Sequence, residues 1–354
     1  MAYERRWETR GEGRRRGGRS AGDAARASYY GLPAIKQPHW KWLIIAYFFL
    51  GGITSASYVV ASIASLFGDA DHRRIARAGR YLSFAALIPC PILLILDLGR
   101  PERFLYMLRI LKLRSPMSVG TWGLVVFSAF STLSALVQAS RDGIFGRSTL
   151  PARLLRALPA RVIGVVGLAP AFFVGGYTGV LLAATAVPLW TKNYLLMGPL
   201  FLSSAMSTAT AAIALILSLT RSLTRDATGH RALRRLERLD CLALGAELLL
   251  MLAVRANAGP VIGHPVLEGR LSRLYRVGVL GLGVLVPLAI QSTATFAGKD
   301  LPPLATAAAS ALVLAGGFTL RYVMVLAGRA SADDPQATFE LAQGGNPQFS
   351  TAEE

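Results

Sequence analysis

Four polar side chains lie where a bilayer would make them costly, while the four histidines and two cysteines of the chain lie where they could not hold a redox metal. Tyr47, Tyr177, Glu247 and Arg321 each fall inside a long apolar stretch. A hydroxyl, carboxylate or guanidinium there is expensive unless it is paired or used. A phenol, with an ordinary pKa near ~10, serves as a hydrogen-bond donor better than as a base. Tyr47 could instead belong to an interfacial belt with Trp40 and Trp42, a reading that fits the deeper Tyr177 less well. Glu247 and Arg321 could relay protons or neutralise each other as a fixed pair. His39 precedes the first apolar stretch, and His72, His230 and His264 fall between stretches, so no two imidazoles face each other at bilayer depth as a haem would require. Cys90 and Cys241 cannot supply the ligands of an iron–sulfur cluster, and in separate apolar stretches they read as buried thiols. Electrons that cross such a protein must ride on a bound organic carrier.

Long apolar helices must position these groups. A hydrocarbon core of about 30 Å takes roughly 20 residues of helix. The chain has 354 residues, 53% hydrophobic and 16% charged, and offers eight such runs: 41–67, 81–96, 119–138, 162–187, 195–219, 239–254, 277–296 and 304–327. Their continuous apolarity is wrong for a closed barrel of short alternating strands. The expected fold is an all-α membrane protein with eight transmembrane helices in two four-helix bundles. The charged connection 220–238 divides them: 41–219 holds the first bundle, and 220–327 holds spans six to eight, completed by span five. Prolines at 89, 91, 170, 188, 199 and 287 predict kinked helices, the second span being the least regular. A net charge of +18 in a soluble protein would suggest nucleic acid. Here the arginines lie between spans, where lipid head groups are the nearer anions, which argues against a nucleic-acid partner. Residues 1–40 read as a basic tail without a secretory core and 328–354 as a polar, solvated tail.

Residues 97–101, Asp-Leu-Gly-Arg-Pro, have turn chemistry whatever else they do. They also put Asp97 and Arg100 on the side from which both tyrosines enter the membrane. Beyond them Phe104, Leu105, Met107, Leu108 and Leu111 alternate with Arg103, Arg109, Lys112 and Arg114, a basic amphipathic segment that would rest on lipid or present a cationic platform to a soluble partner. An even number of spans places both termini on this side. Its short connections carry fewer Lys and Arg than those opposite, so the termini are expected outside.

Several segments together resemble a known family: Tyr30-Gly31-Leu32-Pro33, residues 51–58 (Gly-Gly-Ile-Thr-Ser-Ala-Ser-Tyr), 97–104 (Asp-Leu-Gly-Arg-Pro-Glu-Arg-Phe), 114–122 (Arg-Ser-Pro-Met-Ser-Val-Gly-Thr-Trp), 177–182 (Tyr-Thr-Gly-Val-Leu-Leu) and 316–322 (Gly-Gly-Phe-Thr-Leu-Arg-Tyr). They are similar to the polysulfide reductase membrane subunit family, the NrfD/PsrC-like proteins, from about residue 29 to 328. The resemblance implies a haem-free integral subunit of a bacterial or archaeal inner membrane. Such a subunit exchanges electrons between quinone, most plausibly menaquinone, and a ferredoxin-like iron–sulfur subunit wired to a molybdopterin catalytic subunit. It further implies that Tyr177 matches a quinone-contacting tyrosine, with Thr178, Tyr47 and Arg100 as further candidates at the cofactor. His39 and Asp97 would handle protons, and Arg103, Arg109 and Arg114 would meet the partner. The chain departs from the family pattern at Ile44 and Tyr47, where an amide and a histidine are usual, and His39 is the only imidazole nearby. Two other readings stay open: a proton-conducting or secondary transport subunit using Glu247 and Arg321, and an inert anchor for a soluble enzyme.

Overall fold

The computed structural model describes residues 35–36, 38–67, 70–146, 149–224, 230–296 and 301–342. The expected basic tail up to residue 34, with the Tyr30–Pro33 segment, and the last 12 residues lie outside these. Among the described residues there is no strand. Sixteen α-helices follow one another there: α1 Trp42–Phe67, α2 Ala70–Leu87, α3 Pro89–Asp97, α4 Phe104–Arg109, α5 Pro116–Arg141, α6 Leu150–Ala157, α7 Ala160–Val166, α8 Leu168–Ala183, α9 Pro188–Lys192, α10 Tyr194–Thr224, α11 His230–Ile262, α12 His264–Leu267, α13 Gly269–Arg273, α14 Val286–Phe296, α15 Pro303–Ala332 and α16 Pro335–Ala342. A π-helical stretch, Leu274–Leu285, joins α13 to α14 just ahead of Pro287, whose nitrogen has no proton for the helical ladder.

Seven helical stretches are long and apolar enough to cross a bilayer: Trp42–Phe67, His72–Asp97, Pro116–Arg141, Ala160–Ala183, Tyr194–Thr220, Gly269–Ala294 and Pro303–Ala332. The chain is a multi-pass helical membrane protein. The eighth expected run, 239–254, lies on α11, which carries Glu237, Asp240, Glu247 and Arg255 and is not among the seven. Kinks fall where the prolines predict them. The second span breaks at Ile88 ahead of Pro89, the fourth breaks at Gly167 ahead of Pro170, and α11 is interrupted at Gly259 (φ 69°) before Pro260.

Several helices outrun their apolar runs, which corrects the expected boundaries. Residues 68–80 are mostly the first turns of α2 rather than a loop, because Ile75, Ala76 and Gly79 form a stripe against α1 while the arginines between them continue the helix. The polar tail was expected from residue 328, yet α15 runs on to Ala332. There Ser331 and Ala332 are buried, and α16 follows with Ala337 buried against the rest of the protein. In the other direction α8 stops at Ala183, short of 187.

Helices α1 and α10 are the hubs: α1 touches α2, α3, α8, α10 and α15, and α10 touches α1, α8, α11 and α15. Small residues make this possible. Ala56, Ala205 and Ala209 form the α1–α10 seam, a side chain on Gly52 would crowd Ala205, and one on Gly179 would strike the backbone of Met197. On the far side of α10, Gly283 and Gly316 let the π-helical stretch and α15 cross backbone to backbone.

Candidate functional site

With α8 ending at Ala183, Tyr177 lies six residues from the end of its helix, about 9 Å of rise, and Tyr47 five residues from the start of α1. The two phenols therefore reach the same depth from the same side. They line one cleft with an empty volume of about 640 Å³, mouth included. That lies within the roughly 300–1,000 Å³ usual for small-molecule pockets. Its walls come from five places in the chain: Trp40 and α1 (Ile44, Phe48), the end of α3 (Leu94, Asp97), α4 (Phe104, Met107), the start of α5 (Met117, Gly120) and α8 (Leu181). The lining is almost wholly apolar, and Asp97 is its one acidic group among the described residues.

The two tyrosines are not equivalent. The Tyr177 hydroxyl donates to the Pro116 carbonyl at 2.5 Å, which ties α8 to the first turn of α5. Its ring stacks on Phe173 with centroids 5.2 Å apart and occupies the space that a side chain at Gly120 would need. Tyr47 is 4% exposed and leans on Phe48, and its hydroxyl has no hydrogen-bond partner among the described residues. Trp40 is braced from behind by Trp190, stacked at 5.4 Å, and the Trp190 indole donates to the Met324 carbonyl at 2.9 Å. Asp97 closes α3 within electrostatic reach of Lys41 and His39.

The second half of the molecule holds its polar groups differently. Arg321, 1% exposed, donates to Ser204 Oγ at 2.6 Å and to the Gly317 carbonyl at 2.8 Å. Its guanidinium lies 5.9 Å from the Phe49 ring and 5.7 Å from the Phe201 ring. Glu247, 2% exposed, accepts from Ser207 at 2.8 Å and from Ser204. Two serines of α10 thus stand between the opposite charges, and no cavity opens beside them among the pockets of the described residues.

The chain matches the family described as Polysulphide reductase, NrfD over residues 34–332. It belongs to that family. Among curated relatives it is 27% identical to a membrane-family polypeptide named for polysulfide reductase from Wolinella succinogenes, over 82% of this chain and 94% of the relative. It is 26% identical to a protein named NrfD homolog of Haemophilus influenzae over 70% of this chain and 82% of the relative. It is 22% identical to one of the subunits of selenate reductase from Mesobacillus selenatarsenatis over 70% and 65% respectively.

Of the residues that resemblance to the NrfD family singled out, the cleft brings together Tyr47, Tyr177 and Asp97, with Ile44 on its wall. His39 is exposed near Asp97. Thr178 is buried beside Tyr177 and does not line the cleft, and neither does Arg100, which is exposed on the turn after α3. Arg103, Arg109 and Arg114 are exposed around the short helix α4 at the same end, together with Leu105, Tyr106 and Leu113. Sequence reasoning missed Gly120, which makes room for Tyr177, and Trp190, which fixes Trp40. Their signal was faint: a glycine inside the 114–122 segment and a tryptophan in a short connection.

Proposed function

We propose that this chain is the integral membrane subunit of a respiratory oxidoreductase, exchanging electrons between menaquinol and an iron–sulfur subunit seated over the cleft, itself joined to a molybdopterin catalytic subunit. The reading includes α11 as an eighth crossing. The helices from α1 to α8 then form one four-helix bundle, those from α10 to α15 a second, and both termini lie outside the inner membrane of a bacterial or archaeal cell. One observation carries it: two phenols and a carboxylate from separate helices converge on a single apolar cleft just beneath the surface that bears the exposed arginines. The relatives named for polysulfide and selenate reductases agree with it.

A bound quinol supplies two electrons and two protons. Tyr47 is the free donor and holds an oxygen of the head group. Tyr177, its own proton committed to Pro116, offers its ring as a wall and its oxygen as an acceptor. The apolar lining keeps water from the ring and takes the tail. Asp97 receives protons and hands them to His39 and the water outside. Arg100, Arg103, Arg109 and Arg114 draw the partner to this face, a steering effect that salt weakens. A transport role at Glu247 and Arg321 has less support, since serines and aromatic rings hold both charges in place.

The test is quinol oxidation by the assembled complex carrying Tyr47→Phe. Loss of a buried hydrogen bond of about 1–3 kcal/mol lowers kcat/KM by about 5- to 100-fold with assembly intact. Unchanged kinetics would reject the cleft as the site.

A further inference from the structure

A second group of buried carboxylates lies on α11, apart from both the cleft and the Glu247–Arg321 pair. Glu237 and Asp240 are one helical turn apart, 5% and 2% exposed, on the interior face that Leu244 and Glu247 continue. Thr306, three residues into α15, donates to Glu237 Oε1 at 2.9 Å. Gln291, near the end of α14, donates to Asp240 Oδ2 at 2.7 Å. Both contacts are close to the ends at which α11 and α15 enter the bundle, opposite the cleft.

Asp240 is the incomplete member. Its Oδ1 is buried without any hydrogen-bond partner, and among the described residues no Lys, Arg or His pairs with it. The ionisable groups that face it are Glu237, Glu247 and the Cys241 thiol, all on α11, while α14 contributes the neutral Gln291. A carboxylate in hydrocarbon surroundings, next to like charges and lacking a cation, is stable only with a proton or water on its open oxygen. Inward, Glu247 is seven residues on, about 10 Å of helix. From there Ser207 and Ser204 lead to Arg321, whose guanidinium touches the space beside Gly52 of α1, five residues from Tyr47.

We propose that Asp240 is a proton-exchanging site, loaded past Glu237 from the face opposite the cleft and connected inward, through Glu247 and the α10 serines, to the seam beside the quinol cleft. This rests on the redox reading above. It differs from using Glu247 and Arg321 as the switch, because their charges are already compensated whereas that of Asp240 is not.

The complete complex is reconstituted in liposomes and driven with a short-chain naphthoquinol, with electron flow and proton movement read separately. Asp240→Asn is expected to cut protons moved per electron by about tenfold or more while electron flow measured with a protonophore stays within about twofold, and Glu237→Gln to slow proton movement several-fold. Full proton movement in both variants, or none in the unaltered complex, overturns the proposal. Failure of the unaltered complex to oxidise quinol would instead count against the redox reading. Infrared difference spectra of the unaltered complex guard against a folding defect: a protonated-carboxyl band that shifts in heavy water supports the site, and its absence overturns it.

Discussion

The two halves of this protein treat buried polarity in opposite ways. Around Tyr47 and Tyr177 the helices stand apart, and a phenol is left without a partner in an apolar cleft. Around Arg321 and Glu247 the helices close up, and serines, a backbone carbonyl and two aromatic rings take up the charges. The first arrangement suits a ligand that comes and goes, because donor and space wait together. The second suits a fixed joint between α1, α10, α11 and α15, because nothing is left over for a ligand. Polarity inside a membrane is therefore not one signal, and what separates a site from a strut is whether the surrounding residues already satisfy the group.

Breaking the strut should have the largest effect. Arg321→Ala leaves Glu247 buried without its cation and should destabilise the protein by about 3–5 kcal/mol, seen as lost yield and a lower melting point in detergent. Tyr47→Phe should do the reverse, sparing the melting point while quinol turnover falls. Tyr177→Phe sharpens the contrast within the cleft. Because its proton already goes to Pro116, turnover should fall less than with Tyr47→Phe, and stability should drop by about 1 kcal/mol. Gly120→Ala places a methyl group on the Tyr177 ring and should raise KM for quinol several-fold, with assembly retained. The smallest effect belongs to Tyr58→Phe in the wall behind the cleft, where a 2.7 Å bond to the Ile163 carbonyl is lost at a cost of about 1 kcal/mol, measurable as a modest melting shift.

Much of the fold was legible because hydrophobic length is a strong signal in a membrane protein. Seven of the eight apolar runs reappear as candidate spans, and the breaks at Ile88 and Gly167 follow from Pro89 and Pro170. The boundaries were less legible. Arg73, Arg74 and Arg77 look like a loop by charge, but a helix continues past the bilayer wherever one face keeps its contacts. In the same way, apolarity continuing past Ala183 hides the end of the fourth span and makes Tyr177 look deeper than Tyr47. Within the site, residue chemistry pointed to the phenols and to Asp97. The roles of Gly120 and Trp190 depend on what stands opposite them in space, and residue type does not carry that. Asp240 is overshadowed by Glu247, seven residues away at mid-span and the more conspicuous charge, and only the open Oδ1 distinguishes the two.

The central claim is that quinol occupies the cleft between α1, α3, α5 and α8. It is tested most directly by irradiating the assembled complex with a photoactivatable naphthoquinone and mapping the labelled peptides. Labels within residues 40–48, 94–107, 117–121 or 177–181, suppressed by excess quinone, are the predicted result. Labels confined to α11, α14 or α15 would contradict it.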